Sequence, residues 1–113
     1  MPELAPEPFR CDVEPMRGWI RVRPCGELDL ASVDQLDGKL RELRDTGFDQ
    51  IELDLSELTF MDSTGLRLVL AWDNVAQRDG MRLRLRPGPR AVQRVFEVTG
   101  VAERLPFAAS GDT

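Results

Sequence analysis

The 113-residue sequence contains no histidine. That removes the commonest general base, the Ser-His and Cys-His nucleophile pairs, and the usual zinc and haem ligands. Cysteine is nearly absent too. Cys11 and Cys25 show no metal-type spacing, and they read as reduced, buried thiols rather than as a disulfide or a redox pair. Long apolar runs are missing: the longest, Leu68 to Trp72, has five residues, where a membrane helix needs about 20. No basic segment followed by an apolar stretch opens the sequence, so the expectation is a protein without a secretory leader, working in the cytoplasm. Dense basic stretches are lacking as well. With 15 Lys and Arg against 20 Asp and Glu, the net charge is −5, which is not the footprint of a nucleic-acid binder. No set of residues suggests a metal or a cofactor.

What is present suits one globular domain. Apolar residues make up 42% of the chain, and half of it would be too short to bury a core of its own. Pro2, Pro6 and Pro8 mark residues 1–8 as an extended, poorly ordered tail. The small and polar residues 108–113 are expected to fray, which leaves a domain over 9–107.

Four segments alternate with period two and predict strands with one dry and one wet face. They are Phe9, Cys11 and Val13; Ile20 and Val22; Ile51, Leu53 and Leu55; and Met81, Leu83 and Leu85. The stretch Pro15-Met16-Arg17-Gly18 predicts a hairpin between the first two. Three segments carry helical spacing. Val33, Leu36, Leu40 and Leu43 follow Ser32, a cap candidate, and precede Gly47. A second helix is predicted from about Ser63 to Arg78 and a third from about Pro89 to Val98, closed by Gly80 and Gly100. A short turn is expected around Val101 to Leu105.

The order β-β-α-β-α-β-α predicts an α/β domain with a four-stranded mixed sheet. Strands buried on both faces would read as continuous apolar runs; these alternate, so the helices should lie mainly on one face. On the other, Glu52 and Asp54 would meet Arg82 and Arg84 as solvated, weak cross-strand pairs.

Two motifs stand apart from this routine patterning. Cys25-Gly26-Glu27-Leu28-Asp29 leads into the first helix, and Phe60-Met61-Asp62-Ser63-Thr64-Gly65-Leu66 opens the second, after Leu53-Asp54-Leu55. In these residues the sequence resembles the STAS domain family, in the branch of the anti-sigma factor antagonists, over about Phe9 to Leu105. The resemblance implies a bacterial regulatory binding module that is a monomer alone. Its partner would be an anti-sigma factor with an ATP-binding serine kinase domain, which the unphosphorylated protein binds so that a sigma factor is released. Phosphorylation of one serine by that kinase would end the binding, and a phosphatase would reset it. The family's acceptor position is Ser63 here, with Thr64 the second-choice hydroxyl. The resemblance also places Asp29 on the partner-binding surface, beside Asp62, Ser63, Thr64 and Gly65.

The chemistry of a strand-to-helix turn agrees with that role, since a hydroxyl there is exposed. A phosphate would add about −1.5 to −2 charges beside Asp62. Gly65 would keep side-chain bulk away where a partner approaches. Plainer readings stand beside these: Ser63 or Asp62 as a helix cap, Asp29 as a loop carboxylate, and Trp72 as core or partner surface. A lone STAS domain is also compatible with an accessory subunit of a lipid-transport ABC complex. An enzyme with Ser63 as nucleophile is a poor reading, because no histidine or nearby lysine would activate the hydroxyl.

Overall fold

The first two alternating segments form strands β1 (Arg10–Met16) and β2 (Trp19–Leu28) of a computed structural model that describes residues 8–108. The tails expected at residues 1–7 and 109–113 lie outside the described residues. Arg17 and Gly18 alone turn the hairpin, with Met16 opposite Trp19. Gly18 takes φ +70, a left-handed conformation open to glycine without strain. Helix α1 (Val33–Thr46) follows, then β3 (Gln50–Asp54), β4 (Leu58–Met61), α2 (Ser63–Asp79), β5 (Arg82–Arg86), α3 (Arg90–Val98) and a short 3₁₀ turn at Ala102–Arg104.

The sheet runs β1-β2-β3-β5. β1 is antiparallel to β2, whereas β3 is parallel to both β2 and β5. β4 is a fifth strand that the alternation pattern does not reveal. It pairs in parallel with the last three residues of β2, beyond the stretch that β3 occupies. Two features conceal this pairing in the sequence. Pro24 and Gly26 read as the end of β2, yet the strand continues through them with a register shift between Gly26 and Glu27. Leu58 to Met61 is also too short to display a period.

Inner-face residues Ile20, Val22, Ile51, Leu53, Leu55 and Leu85 form one buried cluster with Leu36, Leu40, Val69, Val92 and Phe96 from the helices. Trp72 belongs to this core. Its indole N–H donates to Asp37 of α1 at 2.8 Å, and the Arg44 guanidinium lies 5.4 Å from its ring. Trp72 therefore locks α2 to α1 and is no partner surface.

The outer face departs from the expected solvated pairs. Glu52 and Asp54 are each only 2% exposed. Strand register places Glu52 between Arg21 and Arg84, which bond it at 2.6 and 2.8 Å. Arg23 holds Asp54 at 3.0 Å. The three arginines are themselves only partly exposed beside the buried carboxylates. Arg82 takes no part; it bonds Gln50 and sits over the Trp19 ring, as Arg84 does at 4.0 Å. Burial and the neighbouring Cys25 push the Cys11 thiol up to about 11. Both cysteines are free, Cys25 buried and Cys11 half-buried.

Candidate functional site

The unforeseen strand β4 is what joins the two sequence motifs. Its pairing sets Glu27 opposite Phe60 and Leu28 opposite Met61. The Asp62 N–H then donates to the Leu28 carbonyl at 3.4 Å. The end of β2, the end of β4 and the first turn of α2 thereby meet at one edge of the domain.

Asp62 caps α2. Its backbone is extended (φ −111, ψ −168), and its carboxylate accepts the N–H groups of Thr64 at 2.9 Å and Gly65 at 3.4 Å. Ser63 is the first residue of the helix and is exposed. Its hydroxyl makes no hydrogen bond among the described residues. The cap reading therefore belongs to Asp62, and it leaves the Ser63 oxygen free. Thr64 is half-buried.

Gly65 has an internal reason to be glycine. It is buried, and a Cβ there would lie 2.6 Å from Met61 Cγ and 2.9 Å from Leu28 Cδ2. The missing side chain lets α2 seat on β2 and β4.

Asp29 ends the first motif, half-buried. Its carboxylate accepts the Ala31 N–H at 3.0 Å, its N–H donates to the Ser32 hydroxyl oxygen at 3.1 Å, and its carbonyl accepts the N–H groups of Ser32 and Val33. It thus shapes the turn into α1, which supports the loop-carboxylate reading. Ser32 holds the N-cap position of α1 as expected, but its hydroxyl makes no cap bond and donates instead to the Glu27 carbonyl at 2.6 Å. Asp29 also lines an open cleft of about 660 Å³ with Phe9, Glu27, Ser32, Glu57 and Thr59; Ser63 is not among its lining residues.

Two apolar residues to which sequence reasoning assigned no role stand at this edge, Phe60 having served only as the start of the second motif. Leu30 is 79% exposed and Phe60 47% exposed. Each follows or precedes a motif carboxylate closely. Leu30 falls between a strand and a helix, and an apolar residue that no period accounts for was its available signal. Phe60 shares the strand phase of Leu58, and only the register shift opposite Gly26 and Glu27, which buries both Leu58 and Met61, leaves it outside. This edge thus carries two open apolar side chains, Leu30 next to Asp29 and Phe60 opposite Glu27, and a free hydroxyl at the helix start. Such a mixture is suited to protein contact.

Residues 18–106 match the family model described as Mlab, STAS domain. The chain belongs to the STAS family. Among curated relatives of this STAS protein is the anti-sigma-B factor antagonist of Bacillus subtilis (strain 168). It is 29% identical over 101 residues, covering 89% of this chain and 92% of the relative. The protein of the same name from Staphylococcus aureus (strain NCTC 8325 / PS 47) is 30% identical over 87 residues, which are 77% of this chain and 81% of that one. Among solved structures, unphosphorylated SpoIIAA, an anti-sigma factor antagonist, aligns with TM-score 0.71 at 27% identity, over 91% of this chain and 90% of that one. SpoIIAA of Bacillus in its phosphorylated form aligns with TM-score 0.66 at 26% identity, over 91% and 93%. An anti-sigma factor antagonist from Mycobacterium paratuberculosis shares the fold, with TM-score 0.79 at 22% identity over 96% and 92%.

Proposed function

We propose that this STAS domain is an anti-sigma factor antagonist, switched by phosphorylation of Ser63. In its unphosphorylated form it binds an anti-sigma factor with an ATP-binding serine kinase domain, and the sigma factor is released. The observation that carries the reading is the free, exposed Ser63 hydroxyl at the junction of the two motifs, with capping done by Asp62 next to it. With the cap bonds made by Asp62, the Ser63 hydroxyl has no partner in this turn among the described residues. The names of the relatives support the same reading, as does a similar protein solved in both unphosphorylated and phosphorylated forms.

The switch is electrostatic. Transfer of the γ-phosphoryl group from ATP to Ser63 Oγ releases ADP and the hydroxyl proton, and leaves about −1.5 to −2 charges on the surface. Asp62 already places a carboxylate alongside, so a partner fitted to a neutral hydroxyl must desolvate a dianion next to an anion. Ser63 lies outside the core, so the fold tolerates the change. Binding is lost while the domain stays folded.

The test is a pull-down from the source cells with wild type and Ser63→Asp as parallel baits. The expected result is a small ATP-binding kinase recovered by wild type alone. Equal recovery of ABC transporter subunits by both baits would overturn the proposal in favour of an accessory subunit.

A further inference from the structure

Helices α1 and α2 carry five cations, and four are paired locally. Lys39 bonds Glu42 at 3.0 Å, Arg41 bonds Asp37 at 2.7 Å, Arg44 bonds Asp45 at 3.2 Å and Arg78 bonds Asp79 at 3.1 Å. Arg67 is the fifth. It is exposed and meets no carboxylate among the described residues. Its helical neighbours three and four positions away are Ser63, Thr64, Leu70 and Ala71, all uncharged.

Ser63 stands four residues before Arg67 on the same helix. Residues so spaced are neighbours, with about 5–6 Å between Cβ atoms, and an anion N-terminal to its cation is the favoured order. Long helical side chains lean toward the helix N-terminus, so an arginine at position 67 covers the surface over residue 63. Resting on the reading of Ser63 as phosphoacceptor, we propose that Arg67 is the built-in receptor of the Ser63 phosphate. Phosphorylation draws the guanidinium into a charge-assisted ion pair along α2.

The local hydrogen bonds give this cation its purpose. Asp62 already occupies the N–H groups of Thr64 and Gly65 and sets a negative charge beside the acceptor. A phosphate therefore finds repulsion at the helix start and needs a counter-charge, which Arg67 supplies with a forked donor. The partner surface is changed twice by one event. A neutral hydroxyl becomes an anion, and an open cation is withdrawn from any partner group that it met.

The test uses the full chain with phosphoserine encoded at position 63, so that no kinase is needed. Thermal midpoints are compared with and without the phosphate in wild type and in Arg67→Gln. The phosphate is expected to lower the midpoint of Arg67→Gln by about 2–4 °C more than that of wild type, with Arg67→Lys between. The Arg67 Nε–H resonance of wild type is expected to shift on phosphorylation. An unmoved resonance overturns the proposal, as does an equal effect of phosphate in both chains. If Arg67→Gln fails to fold, the resonance decides alone. Because the phosphate is installed directly, a finding that the kinase modifies another residue would refute the phosphoacceptor reading while leaving this result separately readable.

Discussion

The Asp62 carboxylate receives the Thr64 N–H at 2.9 Å, across Ser63. One residue thereby does the structural work of the turn and the next is released from it. The two side chains, adjacent in sequence and alike in capping propensity, should answer differently to truncation. Asp62→Ala is expected to cost about 1 kcal/mol through loss of the cap, whereas Ser63→Ala should stay within about 0.5 kcal/mol of wild type. Urea midpoints measure both. A Ser63→Ala loss as large as that of Asp62→Ala would return Ser63 to a structural role.

Gly65 offers a test of sign. In an open helical position, Gly→Ala stabilises by about 1 kcal/mol. Here the added methyl would press on Met61 and Leu28, and overpacking of that kind costs about 1–3 kcal/mol. Gly65→Ala should therefore lower the urea midpoint. A raised midpoint would show that the position is open, as an interface glycine would be.

Asp54 makes the fold sensitive to acid. Burial alone would raise its carboxyl, but hydrogen bonds from Ser56 and Arg23 outweigh this and hold it below the ordinary carboxylate value. A carboxylate depressed in the native state contributes stability that is complete above its unfolded value of about 3.9 and is lost as pH falls through the lower native value. Stability measured by urea unfolding should fall below about pH 4, and Asp54→Asn should flatten that part of the curve. Parallel curves for the two proteins would exclude Asp54 as a source of the slope.

Leu30, just after the first motif, and Phe60, the first residue of the second, are exposed apolar side chains. Neither supports the core, so Leu30→Ser and Phe60→Ser should melt close to wild type. If the proposed anti-sigma factor kinase binds this edge, each should nevertheless weaken that binding by about tenfold, as expected for apolar anchors in an interface. Titration calorimetry with the purified partner measures this, and unchanged affinity in both variants would place the contact surface elsewhere.

Much of the molecule was legible in the sequence because its signals are local. A side chain's distance from its neighbours along one strand or helix is set by period two or 3.6, so the alternation around Ile51 and Leu83 and the spacing of Leu36, Leu40 and Leu43 identified their elements without knowledge of the rest. Gly47 and Gly80, both at positive φ, closed helices where expected. The two motifs could be placed at helix starts, and the family resemblance named the same positions.

What only the tertiary structure decided depends on residues distant in the chain. Leu58 to Met61 became a strand because the end of β2 offers it a backbone edge, and that pairing brought Leu28 beneath Gly65. Glu52 and Asp54 alternate like solvated residues, yet register set them beside arginines of neighbouring strands, where both are buried. Local propensity favoured Asp62 and Ser63 alike as caps; the extended backbone at Asp62, where β4 hands over to α2, chose between them. Local periodicity is written in the order of residues, whereas burial and pairing exist only once separate segments share the same space.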